Sequence, residues 1–178
     1  GKTLQVIALL LRLQQDEQRR GVSLVVVPAS LIANWQAELA RFAPSLRTLV
    51  AHPSAMPSIE IGKLKAARLQ KHDVVITSYG TVLRHEWPSA VECRVLVLDE
   101  AQAIKNPAAR QSRAVKALRS RARIALTGTP VENRLSDLWS LFDFLCPGLL
   151  GTTNQFGRYI KGLAADGYGP LRELVRPY

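Results

Sequence analysis

The sequence predicts an α/β fold, a mostly parallel sheet with helices on both faces in a three-layer αβα arrangement. Three observations carry this. Short apolar runs rich in β-branched residues, such as Leu24–Val27 and Val95–Leu98, alternate with longer helical patterns. Hydrophobic residues make up 47% of the 178, enough for a real core, yet no run is long enough to cross a bilayer. The polar, chemically capable residues follow the apolar runs, so a parallel sheet gathers them at one end.

Each element has its own signal. Thr3–Gln18 reads as a helix with Gly21 as its C-cap. Ser23–Val27 is a strand buried on both faces. Ser30 caps a helix from Leu31 to Phe42 that Pro44 closes. Leu46–Ala51 is a strand, and Pro53 and Pro57 mark the surface loop after it. Ile61–Lys71 reads as a basic amphipathic helix, Asp73–Thr77 as a strand and Tyr79–His85 as a short helix. Val95–Leu98 is the next buried strand. Asn106-Pro107 opens a helix to Arg119, with asparagine as cap and proline at the first helical position. Arg123–Leu126 is a strand, and Pro147-Gly148 stops a helix from Ser136 to Leu145. Weaker helical patterns follow at Asn154–Ile160 and Leu171–Val175. Crossovers are expected to be right-handed, and the alternation itself places Pro28-Ala29-Ser30, Ser78-Tyr79-Gly80, Asp99-Glu100 and Thr127-Gly128-Thr129 at one end of the sheet.

Lys and Arg total 24 against 14 Asp and Glu, a net charge of +10, which favours a polyanionic partner, nucleic acid ahead of membrane. Arg110, Arg113, Lys116, Arg119, Arg121 and Arg123 form a broad basic flank, explained equally by a solvated face or a DNA contact. Cys93 and Cys146 are too few for a disulfide framework or a zinc site and read as core thiols in a reducing, intracellular compartment. No signal peptide pattern is present. His52, His72 and His85 have no metal-ligand spacing.

Val95-Leu96-Val97-Leu98-Asp99-Glu100-Ala101-Gln102 is the most informative stretch. Adjacent carboxylates at the end of a buried strand repel one another, and a divalent cation relieves that cost. One reading is a site for phosphoanhydride hydrolysis, with aspartate holding Mg²⁺ and glutamate orienting water. The other is a solvated acidic turn. Gly1-Lys2-Thr3 before an apolar helix matches the second half of a phosphate-binding loop and supports the first reading.

With Thr127-Gly128-Thr129-Pro130 added in this order, the chain resembles helicase superfamily two, and within it the Swi/Snf-type ATPases. The specific matches are Val27-Pro28-Ala29-Ser30-Leu31-Ile32-Ala33-Asn34-Trp35, Asp99 to Asn106, and Gly128-Thr129-Pro130-Val131-Glu132-Asn133 leading to Leu138-Trp139-Ser140-Leu141. The resemblance implies the first of two RecA-like lobes, with ATP bound in the cleft between them. It implies a lobe over 1–150 and an extension over 151–178 leading toward the second lobe. It also implies that the phosphate loop and its strand begin upstream of Gly1, so that this stretch is poorly stable and inactive alone.

The resemblance further assigns roles. Gly1, Lys2, Thr3 and Gln102 form the nucleotide-binding set, with Lys2 on the β/γ phosphates, and Thr3 and Asp99 bind Mg²⁺. Glu100 polarises the attacking water. Gln102 stands where many relatives carry histidine; it cannot titrate, and couples the nucleotide site to Thr127, Gly128 and Thr129. Ser30, Asn34, Ser78, Tyr79, Lys105 and Asn106 are the DNA-side candidates, while Trp35 is favoured as core. The expected function is an ATP-dependent double-stranded-DNA translocase, using ATP and Mg²⁺ and acting on a DNA-bound protein complex such as a nucleosome or RNA polymerase. Its expected location is the cytoplasm (nucleoid) of a bacterium or the nucleus of a eukaryote. The alternatives are another superfamily-two helicase, or an inactive DNA-binding or scaffold fragment.

Overall fold

The computed structural model describes residues 1–16, 21–128, 135–163 and 168–176. Five strands form one parallel sheet: β1 (Ser23–Val27), β2 (Thr48–Ala51), β3 (Val74–Ser78), β4 (Glu92–Leu98) and β5 (Arg119–Ala125), in the order β2-β3-β1-β4-β5. All the pairings are parallel, as the alternation of strands and helices predicts. Every residue of β1 and β3 is buried, so these strands carry no polar face.

The helices are α1 (Lys2–Gln14), α2 (Ile32–Phe42), α3 (Ser58–Gly62), α4 (Ala66–Leu69), α5 (Tyr79–Arg84), α6 (Arg110–Lys116), α7 (Leu135–Leu145), α8 (Thr153–Leu163) and α9 (Gly169–Val175). Successive strand side chains point to opposite faces, which divides the core in two. Val25, Val27, Ile76, Val95 and Val97 meet Val6, Ile7 and Leu10 of α1 and Ile32, Trp35 and Leu39 of α2. Leu24, Val26, Val75, Leu96 and Leu98 meet α3 to α6 and the buried Phe144. A third apolar cluster joins Leu138, Trp139 and Phe142 of α7 to Phe156, Leu163 and Leu171.

Several boundaries differ from expectation. α1 ends at Gln14 with Gln15 as its cap, so Gly21 is not the cap. Ser30 lies exposed in a 3₁₀ turn, Ala29–Leu31, and makes no cap hydrogen bond. The helix expected over 61–71 is two short helices, because Gly62 ends α3 and Lys65 is extended. α6 begins at Arg110 rather than Asn106. The Asn106 Oδ1 instead accepts the Ala108 N–H at 3.0 Å, a local turn that competes with helix. β5 starts at Arg119, four residues earlier than expected, so Arg119, Arg121 and Arg123 are strand residues.

Arg47 and Asp73 clamp the entry to β2 and β3. The Arg47 backbone N–H and Nε donate to Asp73 Oδ2 at 2.8 and 3.1 Å, and its Nη2 to Oδ1 at 3.0 Å. Burial alone would raise the Asp73 carboxyl, but the hydrogen bonds and charge of Arg47 hold it below the ordinary aspartate value. A lowered carboxyl stabilises the fold above the unfolded value and loses that contribution as pH falls through the folded one. Urea midpoints of the intact protein and of Asp73→Asn are therefore expected to converge as pH drops below about 4. A constant difference between them down to acid pH would contradict the clamp.

Candidate active site

The register sets the site. Val26 pairs with Leu98, Leu98 with Ala125, and Val27 with Ser78, so the loops after β1, β3, β4 and β5 leave the sheet at one level. Asp99 donates its N–H to the Val26 carbonyl at 2.9 Å, and Ala101 donates to the Leu126 carbonyl at 2.9 Å. The loop after β4 is thus stitched to both neighbouring strands.

Glu100 has φ 49° and ψ 53°, left-handed backbone in a non-glycine residue. This conformation costs roughly 1–2 kcal/mol. The surroundings hold it in place: the Glu100 N–H donates to Asp99 Oδ1 at 2.9 Å, and its carbonyl accepts the Ala103 N–H at 2.9 Å. Strain held this way is typical of functional loops. Its local effect is a sharp reversal that returns Gln102 to the side of Glu100.

A continuous hydrogen-bonded chain runs through the site. The Lys2 Nζ donates to the Thr127 carbonyl at 2.5 Å. The Thr127 hydroxyl donates to Gln102 Oε1 at 3.1 Å, and Gln102 Nε2 donates to Glu100 Oε2. Glu100 in turn donates its N–H to Asp99. Asp99 Oδ2 accepts the Trp35 indole N–H at 2.8 Å, and the Asp99 carbonyl accepts the Tyr79 hydroxyl at 2.8 Å. Burial, with added repulsion from Asp99 and Glu100, raises the Tyr79 phenol well above its ordinary value, so it stays a protonated donor.

The structure therefore brings together Lys2, Asp99, Glu100, Gln102 and Thr127. Gly1 and the half-buried Thr3 sit beside Lys2 at the start of α1, where no side chain caps the helix. Gly128 is exposed next to Thr127. Thr129 and the segment through Asn133 lie outside the described residues.

The DNA-side candidates divide. Ser30, Asn34, Lys105 and Asn106 are exposed. Ser78 is buried and its Oγ caps α5, accepting the Thr81 N–H at 3.1 Å. Tyr79 is buried with its hydroxyl on Asp99. Neither of these side chains offers a polar atom to a surface partner. Trp35 is fully buried, as favoured, but its indole contact with Asp99 was not foreseen. The two residues are 64 apart in sequence, and no spacing rule links them.

The basic flank is also smaller than its composition suggests. Lys116 pairs with Asp143 at 2.8 Å and lies 4.9 Å from the centre of the Trp139 ring. Arg123 donates to the carbonyls of Phe144, Lys116 and Leu118 at 2.8, 3.3 and 2.9 Å. Cys93 is a core thiol, pushed up to about 12 by burial and then by Glu92.

The donor set fits Mg²⁺ carried with a nucleotide. Magnesium prefers hard oxygens, keeps several waters and takes few protein ligands besides phosphate. Asp99 supplies a half-buried carboxylate whose two oxygens are already oriented, and Thr3, the residue after Lys2 at the start of α1, is the hydroxyl candidate. No group of three or more His, Cys, Asp or Glu among the described residues could hold a metal by itself.

Sheet order, edge loops and this network define a RecA-like nucleotide-binding lobe. The chain belongs to the SNF2-related domain family, whose model matches residues 1–178. It is 41% identical over its whole length to YwqA of Bacillus subtilis, a protein named for an inferred ATP-dependent helicase/translocase activity. It is 35% identical to the Zorya protein ZorD of Escherichia coli across 99% of the chain. The chain spans about a fifth of the length of these relatives, 20% and 19%. The Sulfolobus solfataricus SWI2/SNF2 ATPase core in complex with double-stranded DNA superposes on the whole chain with a TM-score of 0.87 and 40% identity; the match covers 37% of that structure.

Proposed function

We propose that the intact protein carrying this chain is an ATP-dependent double-stranded-DNA translocase, and that this chain is its ATP-binding lobe. The observation that carries the reading is the continuous hydrogen-bonded path from Lys2 through Thr127, Gln102 and Glu100 to Asp99. Gly1, Lys2 and Thr3 bind the phosphates at the start of α1, where backbone N–H groups and the helix dipole favour anions. Thr3 and Asp99 would hold Mg²⁺, which when bound would supply positive charge at the phosphates. Glu100 orients the attacking water. Gln102 links Glu100 to Thr127, so the state of the phosphate site reaches the loop after β5 without a titrating group.

Ser30, Asn34, Lys105 and Asn106 form the DNA-facing edge, gripping phosphate without reading sequence. Residues 151–178 lead toward a second RecA-like lobe that closes on the nucleotide. The cargo is a DNA-bound protein complex inside the cell. Among the described residues no helix is long and apolar enough to cross a membrane.

The test is steady-state ATPase of the intact protein with and without double-stranded DNA, beside Lys2→Ala. DNA is expected to stimulate hydrolysis, and Lys2→Ala to abolish it. Displacement of a third strand without separation of the duplex would mark translocation. Hydrolysis indifferent to DNA, or undiminished in the variant, would sink the reading.

A further inference from the structure

Asp99 has a carboxylate whose two oxygens each take one N–H. Oδ1 is held by the Glu100 backbone at 2.9 Å and Oδ2 by the Trp35 indole at 2.8 Å. The terminal torsion of an aspartate is broad and roughly two-fold, so a single donor leaves the carboxylate free to rock. Two donors from different directions fix it. The first is local and moves with the loop. The second comes from α2 and is rigid, because Trp35 is fully buried and an indole has only two side-chain torsions.

The other two tryptophans serve as internal comparisons. A buried indole usually needs an acceptor, and a backbone carbonyl meets that need. Trp139 donates to the Gly151 carbonyl at 3.0 Å, which ties α7 to the turn before α8. The buried Trp87 nitrogen has no hydrogen-bond partner among the described residues. Trp35 alone of the three donates to a carboxylate, and that carboxylate lies at the end of β4, next to Glu100.

We propose that Trp35 is a positioning residue: its indole N–H holds the Asp99 carboxylate in the orientation that receives the metal-bound nucleotide, and fastens that orientation to α2. The proposal rests on the reading of Asp99 as a Mg²⁺ ligand. Because exposed Asn34 and Ser30 lie on the same segment as Trp35, a shift of that segment reaches Asp99 through one side chain.

The test replaces Trp35 in the intact protein with benzothienylalanine, which keeps the ring shape and lacks the N–H. A non-hydrolysable ATP analogue is titrated in Mg²⁺ and again in EDTA, and the melting temperature is measured. The ratio of the EDTA Kd to the Mg²⁺ Kd is expected to fall about tenfold, the scale of one hydrogen bond to a charged group. The EDTA affinity is expected to hold, and the melting temperature to fall only by what one hydrogen bond to a half-buried carboxylate contributes. Trp35→Phe is expected to lose the same ratio and also to melt earlier, since the smaller ring leaves a void.

A ratio unchanged in the benzothienyl variant would overturn the proposal. So would equal losses with and without metal, which is what a purely structural tryptophan gives. If the unmodified protein itself shows no Mg²⁺-dependent gain, the assignment of Asp99 as metal ligand fails instead.

Discussion

Glu100→Gln in the intact protein is expected to keep nucleotide binding and to lose DNA-stimulated hydrolysis by about a hundredfold to ten-thousandfold. The substitution is nearly isosteric. The carbonyl oxygen of the new amide can still accept from Gln102 Nε2, the backbone N–H can still donate to Asp99, and the left-handed conformation is no costlier for glutamine. What disappears is the negative charge that, in the proposed function, polarises a water. The loss therefore belongs in the turnover rate, with analogue affinity and melting temperature close to those of the parent. Hydrolysis within a few-fold of the parent rate would assign the water to another group.

The largest effect on stability is expected at Arg123. Its guanidinium reaches the carbonyls of Lys116 at the end of α6, Leu118 just beyond it and Phe144 in the last turn of α7, and lies 5.1 Å from the centre of the Phe144 ring. Acceptors at helix ends lack partners inside their own helices. Burial lowers the guanidinium from its ordinary value, with Asp143 opposing, but arginine stays charged at any accessible pH. Arg123→Ala leaves three carbonyls short of a donor and removes the tie between β5 and two helices. A loss of about 3 kcal/mol follows from charge-assisted hydrogen bonds of this kind. Arg121→Ala, two residues away and exposed, is expected to change stability by less than about 0.5 kcal/mol. Urea midpoints of both variants check the contrast, and equal midpoints would show that the Arg123 carbonyl contacts do not stabilise the fold.

These two residues show how much was legible in the sequence. The strands could be read because β1, β3 and most of β4 are buried on both faces, which forces uninterrupted apolar runs. That Lys2, Asp99, Glu100 and Gln102 come together could be read because they fall in short motifs that follow strands or open a helix; the chemistry proposed for them is a separate step. Arg123 was misread as part of a basic flank, because arginines at every second position look alike whether they face water or helix ends. The single helix expected over 61–71 failed because Ile61, Leu64 and Leu69 keep helical spacing while Gly62 ends the first turn, a signal given too little weight. Asn106 is equally good as a helix cap and as a turn residue, and only the fold decides between them. Trp35 was sorted correctly into the core, yet its partner is chosen by how α2 lies across the sheet, which no local pattern encodes.

The division of the core by the sheet bears on Asp99. Trp35 is packed in the apolar layer on one side and Tyr79 in the layer on the other. They meet at one residue, the indole on the Asp99 carboxylate and the phenol on its carbonyl. Asp99 is thus one point at which the two layers, separated by the sheet, are joined, so loss of either contact leaves its aromatic ties on a single side of the sheet.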